Sequence, residues 1–174
     1  MLIRRPTYAE LKSVACAAHL LHAMENGNAL SVGATPQRAF DYLYAMLTSG
    51  RGTVFVAIDD NSFCGCVAMQ FDVVERANAI YVGNLYVEPS APRKTVLHLM
   101  EAVMKEAEAR RAETLWLLGG TSKNKTRRTY FRLGFAPVRT TAEGAVLFCA
   151  PLRVAAARMR QMLGERKVCN GVIS

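Results

Sequence analysis

The middle of the sequence constrains the fold more than any other part of it. Ala79–Val87 is a mostly apolar run of strand length, and Pro89 and Pro92 interrupt the chain after it. An amphipathic stretch then extends from about Arg93 to Arg111, and the compact apolar run Thr114–Leu118 follows. A strand, a crossover helix and a second strand of this kind are expected to lie parallel in one sheet.

The flanking segments predict antiparallel hairpins around this unit. Upstream, the strand-like runs Thr53–Ile58 and Phe63–Val73 are separated by a polar turn. Downstream, two short strands near 136–139 and 145–150 flank a turn that contains Gly144. The central strand also has Gly83 in its interior, which is typical of a bulge or of a close approach of two backbones.

Helix signals complete the predicted order of elements. A short first strand is followed by a helix that begins near Tyr8, with Thr7 and Glu10 as a capping box, and by a second helix at Pro36. The order is therefore β-α-α-β-β-β-α-β-α-β-β plus a C-terminal helix, a mixed-sheet α/β fold. We assign residues 1–151 to one domain and residues 152–174 to a basic amphipathic helix and tail.

Composition and cysteine usage predict a globular protein of the cytoplasm. Hydrophobic residues make up 51% and charged residues 21% of the 174 residues, and the longest apolar runs are too short to cross a bilayer. Five cysteines with irregular spacing do not suggest a disulfide framework. Cys64 and Cys66, two apart in a strand, are expected on one face as small buried side chains, and no metal site is expected.

The net charge of +8 favours partners that carry many negative charges. Phosphorylated cofactors, nucleic acids and acidic protein surfaces all belong to this class. The basic helix around Arg127 and Arg128 predicts weak nucleic-acid binding that does not depend on base sequence. The amphipathic helix at residues 152–163 predicts a contact with another protein chain or with its own domain.

Two local segments resemble motifs of the GNAT (Gcn5-related N-acetyltransferase) family. Leu85-Tyr86-Val87-Glu88-Pro89 is similar to the family's L-x-V-x-P strand end, and Tyr130-Phe131-Arg132-Leu133-Gly134-Phe135 is similar to its Y-x-x-x-G-F segment. The resemblance extends over residues 1–150 and includes the order of elements. It implies the GNAT fold and acetyl transfer from acetyl-CoA to an amine.

The resemblance also implies roles for particular residues. The backbone of Leu85 and Val87 would bind the pantetheine arm, and Asn124 stands close to where the family often has an asparagine. Tyr130 would protonate the departing thiolate. The loop that wraps the pyrophosphate corresponds here to Arg93, Lys94, Thr95, Val96 and Leu97.

That loop departs from the family pattern. Thr95 and Leu97 stand where the family has glycines, and Pro92 stands at a Gln or Arg position. Because side chains at these positions are expected to crowd the pyrophosphate, we expect weaker cofactor binding. No carboxylate lies within residues 82–86, so the candidate general bases are the nearby carboxylates Asp72, Glu75 and Glu88.

Two functions remain open at this point. One is a divergent N-acetyltransferase, which requires an open cleft near Val87 and residues 112–117 with Tyr130 pointing into it. The other is a non-catalytic assembly protein of the same fold, similar to small GNAT-like proteins of tailed phages and then located in the virion. In that case Pro92, Thr95 or Leu97 would fill the cleft.

Overall fold

The computed structural model describes residues 1–26, 35–71, 78–119, 125–142 and 144–164, without the side chains of residues 21–26 and 125–126. None of the helices in these ranges has the length and apolarity that a membrane crossing needs. In chain order the elements are β1 (Leu2–Arg4), α1 (Tyr8–Asn26), α2 (Pro36–Thr48), β2 (Gly52–Asp59), β3 (Ser62–Phe71), β4 (Ala79–Val87), α3 (Thr95–Ala109), β5 (Thr114–Gly119), α4 (Lys125–Arg132), β6 (Ala136–Thr140), β7 (Val146–Pro151) and α5 (Leu152–Leu163).

The strands form one seven-stranded sheet in the order β1-β2-β3-β4-β5-β7-β6. Strands β4 and β5 are parallel, and the other neighbours are antiparallel. The predicted strand–helix–strand unit within antiparallel hairpins is therefore confirmed, and so is the mixed α/β fold class. A turn with positive φ at Asp60 and Asn61 closes the hairpin between β2 and β3.

The capping box predicted for α1 is present, and α2 begins at Pro36 as predicted. The backbone N–H of Thr7 donates to the Glu10 carboxylate, and the N–H of Glu10 donates to the Thr7 hydroxyl. Arg4 also bonds to Glu10, and these bonds lower the pKa of that carboxyl to about 2. In α2, the Thr35 hydroxyl accepts from the N–H of Arg38.

The helices cover the two faces of the sheet and create two hydrophobic layers. One layer packs α3, α5 and the end of α4 against the sheet and includes Met69, Val103 and Leu115. The other packs α1 and α2 against the opposite face and includes Leu43 and Val56. We call them the α3 layer and the α1–α2 layer.

The C-terminal helix α5 packs on its own domain. Leu152, Ala155, Ala156 and Met159 are buried in the α3 layer. Since the apolar side of α5 is already covered, its exposed side is mainly basic and polar. Any further partner of this helix would have to contact that polar side.

Two local predictions are wrong. Helix α3, predicted from about Arg93, begins two residues later at Thr95. The residues before it form a turn, in which the N–H of Thr95 donates to Pro92 O. Cys64 and Cys66 lie on opposite faces of the sheet, in the α3 layer and the α1–α2 layer respectively. The reason is a β-bulge: Ala57 pairs with Gly65 and Ile58 pairs with Phe63, so Cys64 has no partner residue in β2.

Candidate active-site cleft

The middle of strand β4 contains a bulge. Against β3, Cys66 pairs with Tyr86 and Ala68 pairs with Gly83, so three steps along β4 match two steps along β3. Asn84 lies inside this segment with φ of 49°, in the left-handed region that asparagine tolerates better than most residues. The irregularity predicted from Gly83 is therefore present, one residue further along the strand.

Beyond this point, β4 and β5 separate. Their parallel pairing ends at Val82 and Leu117, although β4 continues to Val87 and β5 continues to Gly119. Strand β5 instead keeps its antiparallel pairing with β7 up to Gly119. The carboxyl ends of β4 and β5 are therefore not paired with each other, and we call the space between them the gap or cleft. Ala112 precedes β5, at the far end from this gap, so the predicted range 112–117 overlaps the cleft only at its last residue.

Leu85 and Val87 form the β4 wall of this cleft. Their side chains pack against the α3 layer. On the β5 side, no described strand pairs with their backbone. Free N–H and C=O groups along one strand are suited to binding an extended amide-containing chain by β-type hydrogen bonds.

Gly65 allows β3 and β4 to approach closely behind this wall. A Cβ at this position would lie 2.5 Å from Tyr86 O and 3.1 Å from Val87 Cα. Both atoms belong to the backbone, which cannot rotate away as a side chain does. The geometry of the cleft wall thus depends on a glycine in the neighbouring strand.

The loop after β4 folds into two turns. Ala91 N–H donates to Glu88 O at 3.0 Å, and Thr95 N–H donates to Pro92 O at 2.9 Å. Leu97 N–H also donates within the turn, to Lys94 O at 2.9 Å. Two N–H groups at the start of α3 are thereby used within the chain.

The side chains of Thr95 and Leu97, which the resemblance places at glycine positions of the family, are largely turned inward. Thr95 is fully buried, with 0% exposure, and its hydroxyl donates to Met1 Sδ at 3.2 Å. Leu97 is half-buried and packs against the α3 layer. Pro92 is exposed and lies on the surface of the loop.

The start of α3 also carries two positive charges. Arg93 and Lys94 are exposed, and neither pairs with a carboxylate among the described residues. No acidic residue lies in the first turn of α3. Because the N-terminus of a helix is itself positive, this arrangement favours an anion in front of the helix.

Tyr130 lies on the buried side of α4. It is 7% exposed, and its ring packs at centroid distances of 6.0 Å from Phe135 and 5.8 Å from Phe148. Phe148 in turn lies against Gly119, because a Cβ on that glycine would be 2.8 Å from the phenylalanine ring. Tyr130 is therefore placed next to the end of β5, close to the gap.

Glu88 and Tyr86 form a pair at the end of β4 that the sequence did not reveal. Both side chains are half-buried, and Tyr86 packs against the α1–α2 layer. Burial raises the pKa of the Tyr86 hydroxyl, and the negative charge of the nearby Glu88 carboxylate raises that pKa further. The only sequence signal for the pair is its spacing of two, which puts both residues on one face of a regular strand.

Other candidate groups contribute less to the cleft. Asn124, Asp72 and Glu75 lie outside the described residues. The Cys66 thiol lies in the neighbouring strand, but burial raises its pKa to about 12, so it stays protonated at neutral pH. Within the described ranges, no group of three His, Cys, Asp or Glu side chains is arranged to hold a metal ion.

The sequence and the fold agree on the class of protein. Residues 19–135 match the family model described as the acetyltransferase (GNAT) family. The chain therefore belongs to the GNAT family of acetyltransferases. No curated protein matches the sequence at a significant level.

Solved structures with this fold have low sequence identity to the chain. A nucleotide-linked sugar GNAT, FdhC in its apo form, superposes with a TM-score of 0.71 at 11% identity, covering 92% of each chain. The ribosomal-protein-alanine N-acetyltransferase of Brucella melitensis gives 0.68 at 15% identity, over 87% of this chain and 99% of its own. The putative acetyltransferase yncA of Salmonella typhimurium, solved with its cofactor acetyl-CoA, gives 0.69 at 14% identity, over 87% and 93%.

Proposed function

We propose that the protein is an acetyl-CoA-dependent N-acetyltransferase in which the strand β4, more than the phosphate loop, holds the cofactor. The observation that carries this proposal is the gap between β4 and β5, which opens beyond Val82 and Leu117. The solved acetyl-CoA complex of a fold relative supports the choice of cofactor.

The wall of the gap suits a pantetheine arm. Pantetheine contains two amide groups in an extended chain, and the unpaired backbone at Leu85 and Val87 offers the matching donors and acceptors. When bound, acetyl-CoA supplies an activated thioester whose acetyl group can be transferred to an amine. The wall would position that thioester at the end of the gap, near Tyr130.

The phosphates would be held mainly by charge. Arg93 and Lys94 place two cations before the positive end of α3, where an anion relieves their repulsion with the helix dipole. The backbone contribution is reduced, because Thr95 and Leu97 donate their N–H groups to carbonyls of the same turn. This part of the site therefore fits the cofactor less well than the strand does.

Proton transfer can be assigned to two side chains. Glu88, the carboxylate that directly follows β4, would accept the proton of an incoming amine. Tyr130, beside the end of β5, would donate a proton to the departing thiolate. A base and an acid on opposite sides of the reacting centre are the arrangement that acyl transfer to an amine requires.

The test begins with calorimetric titration of acetyl-CoA into the purified protein. We expect saturable binding in the micromolar range for both the wild type and Tyr130→Phe, because the substitution keeps the ring that packs on Phe135 and Phe148. No detectable binding at millimolar acetyl-CoA would contradict the proposal.

Turnover is then measured with a panel of primary amines by chromatographic detection of free CoA. Removal of a general acid or base commonly lowers the rate by about 100-fold or more. We therefore expect the turnover rate to fall by about 100-fold or more in Tyr130→Phe and in Glu88→Gln. The Kd of acetyl-CoA should change little in either variant. Equal turnover in wild type and both variants would remove these two residues from the mechanism.

A second candidate is a non-catalytic assembly protein with the same fold. The observation in its favour is the occupation of both glycine positions by Thr95 and Leu97. This candidate predicts that acetyl-CoA does not bind, so the same titration separates the two functions.

A further inference from the structure

The positive charge of the protein is concentrated in one part of the chain. Between residues 114 and 164 there is a single anion, Glu143, against nine cations. These cations are Lys123, Lys125, Arg127, Arg128, Arg132, Arg139, Arg153, Arg158 and Arg160. The remaining thirteen cations and thirteen anions of the chain balance, so this segment accounts for the whole net charge of +8.

Helices α4 and α5 bring part of this charge together on one surface. Within residues 127–132 of α4, the exposed residues are Arg128, Phe131 and Arg132, at helical spacings that place them side by side. Arg158 of α5 joins them, because its Nη1 donates to Phe131 O at 3.1 Å. We call these four residues the α4–α5 patch.

Local acids do not neutralise the patch. The ion pairs of the described residues involve β1, α1, β2 and α3, and the one that reaches α5 joins Arg160 to Glu108 at 3.7 Å. No described carboxylate lies within 4 Å of Arg128, Arg132 or Arg158. Three guanidinium groups are therefore available to an external anion.

The charged groups of the patch and Tyr130 lie on different sides of α4. Tyr130 is buried in the α3 layer. Arg128 and Arg132 lie on the solvent side of the same helix. We therefore expect a ligand on the patch to bind without displacing a ligand from the cleft.

We propose that the α4–α5 patch binds the phosphate backbone of nucleic acid. Arginine presents a planar fork of donors that suits phosphate oxygens, and interfaces with nucleic acids are far more positive than those between proteins. A protein partner fits less well, since the centres of protein interfaces are depleted in charge and this patch has only Phe131 as a large apolar residue.

Phe131 adds a possible contact to bases. Its side chain is 49% exposed, and its ring is supported edge-on by Phe148 at a centroid distance of 5.7 Å. An exposed ring between guanidinium groups is the arrangement on which unpaired bases stack. The patch is therefore expected to favour single strands over duplexes.

The test uses fluorescence anisotropy with a labelled 20-nucleotide single-stranded DNA and the corresponding duplex, at several NaCl concentrations. We expect micromolar binding at low salt that weakens as salt rises. Each phosphate contact contributes roughly 0.7 to the logarithmic salt slope for a single strand. Arg128→Gln/Arg132→Gln should therefore reduce the slope by about 1.4 and weaken binding at low salt about tenfold.

The matched control removes two exposed cations elsewhere. Lys12→Gln/Arg38→Gln changes the net charge by the same amount on the α1–α2 side, and we expect the salt slope to stay close to that of wild type. Phe131→Leu should weaken single-strand binding several-fold and leave duplex binding nearly unchanged. The DNA-binding assay requires no acetyltransferase activity from the wild type or the variants, so its result is independent of the proposed acetyl transfer.

Several outcomes would overturn the proposal. One is the absence of binding to both DNAs at about 100 µM protein and low salt, since roughly 100 µM is the weak end of the Kd range for non-specific sites even at physiological salt. Another is an equal loss of binding in the two double variants. Binding to poly-glutamate with none to DNA would point instead to an acidic protein partner. Displacement of the DNA by saturating coenzyme A would place the nucleic acid in the cofactor cleft and contradict a separate surface.

Discussion

The two halves of the cofactor cleft differ in how closely they follow the family. In the strand half, β4 bulges at Asn84, and beyond Val82 no described residue of β5 pairs with it. In the loop half, the N–H groups of Thr95 and Leu97 are already bonded to Pro92 O and Lys94 O.

The two halves depend on different properties of the chain. The shape of the strand half is set by the pairing of β4 with β3 and by a few backbone conformations. In the loop half, binding of an anion would depend on how closely the backbone can approach it, so a side chain there acts directly on binding.

The largest expected effect comes from breaking the strand half. Gly65→Ala would force a methyl group against the carbonyl of Tyr86 and the Cα of Val87. Overpacking of this kind typically costs about 1–3 kcal/mol, and here it would also move the cleft wall. We expect a lower free energy of unfolding, measured in urea, and a Kd for acetyl-CoA that is higher by about tenfold or more.

Gly83→Ala is the control for this substitution. Its Cβ would meet only the edge of the Tyr81 ring, at 3.3 Å, and a side chain can shift to make room. A similar loss of stability in both variants would mean that close packing of β3 on β4 is not what Gly65 provides.

An intermediate effect is expected from restoring the loop half. Thr95→Gly/Leu97→Gly reproduces the family's glycines and should tighten acetyl-CoA binding about tenfold, because the backbone gains access to the phosphates. The same variant should be less stable, since each glycine in a helix costs about 1 kcal/mol and two packed side chains are lost.

The double alanine variant tests the cause of that gain. Thr95→Ala/Leu97→Ala also removes bulk but keeps a Cβ at each position. We expect little change in the Kd of acetyl-CoA for this variant. An equal gain in both variants would show that side-chain bulk, and not backbone access, limits binding in the loop.

The smallest effect concerns the bulge. Asn84→Gly should be tolerated, whereas Asn84→Val should cost about 1–2 kcal/mol, because a β-branched residue is strained at positive φ. Urea denaturation measures the difference in the free energy of unfolding between the two variants. Calorimetric titration measures any loss of acetyl-CoA binding. Equal stability of the two variants would mean that the bulge has moved or is absent.

Much of the fold was predictable because local signals and long-range pairing agree. The capping box at Thr7 and Glu10 and the proline at the start of α2 each meet a backbone requirement that few residue types meet. The parallel pair followed from two apolar runs joined by an amphipathic helix. These features depend on residue type and spacing alone.

The remaining features depend on which strand residues pair. The bulge at Cys64 reverses the face of one cysteine, and nothing in Cys64-Gly65-Cys66 signals it. Likewise, the pair of Tyr86 and Glu88 becomes visible only when both are found half-buried at the end of β4. The inward position of Thr95 depends on its contact with Met1, which lies 94 residues away in sequence.

Whether the strand half holds the cofactor is tested by comparing acetyl-CoA with acetyl-pantetheine, which lacks the nucleotide and its phosphates. Calorimetric titration of both ligands into the wild-type protein measures how much each half of the cleft contributes. If the strand half holds the cofactor, both ligands bind and their Kd values differ by about tenfold or less, which is about 1.4 kcal/mol. Acetyl-CoA binding more than a hundredfold tighter than acetyl-pantetheine, or binding of neither ligand, would contradict the account.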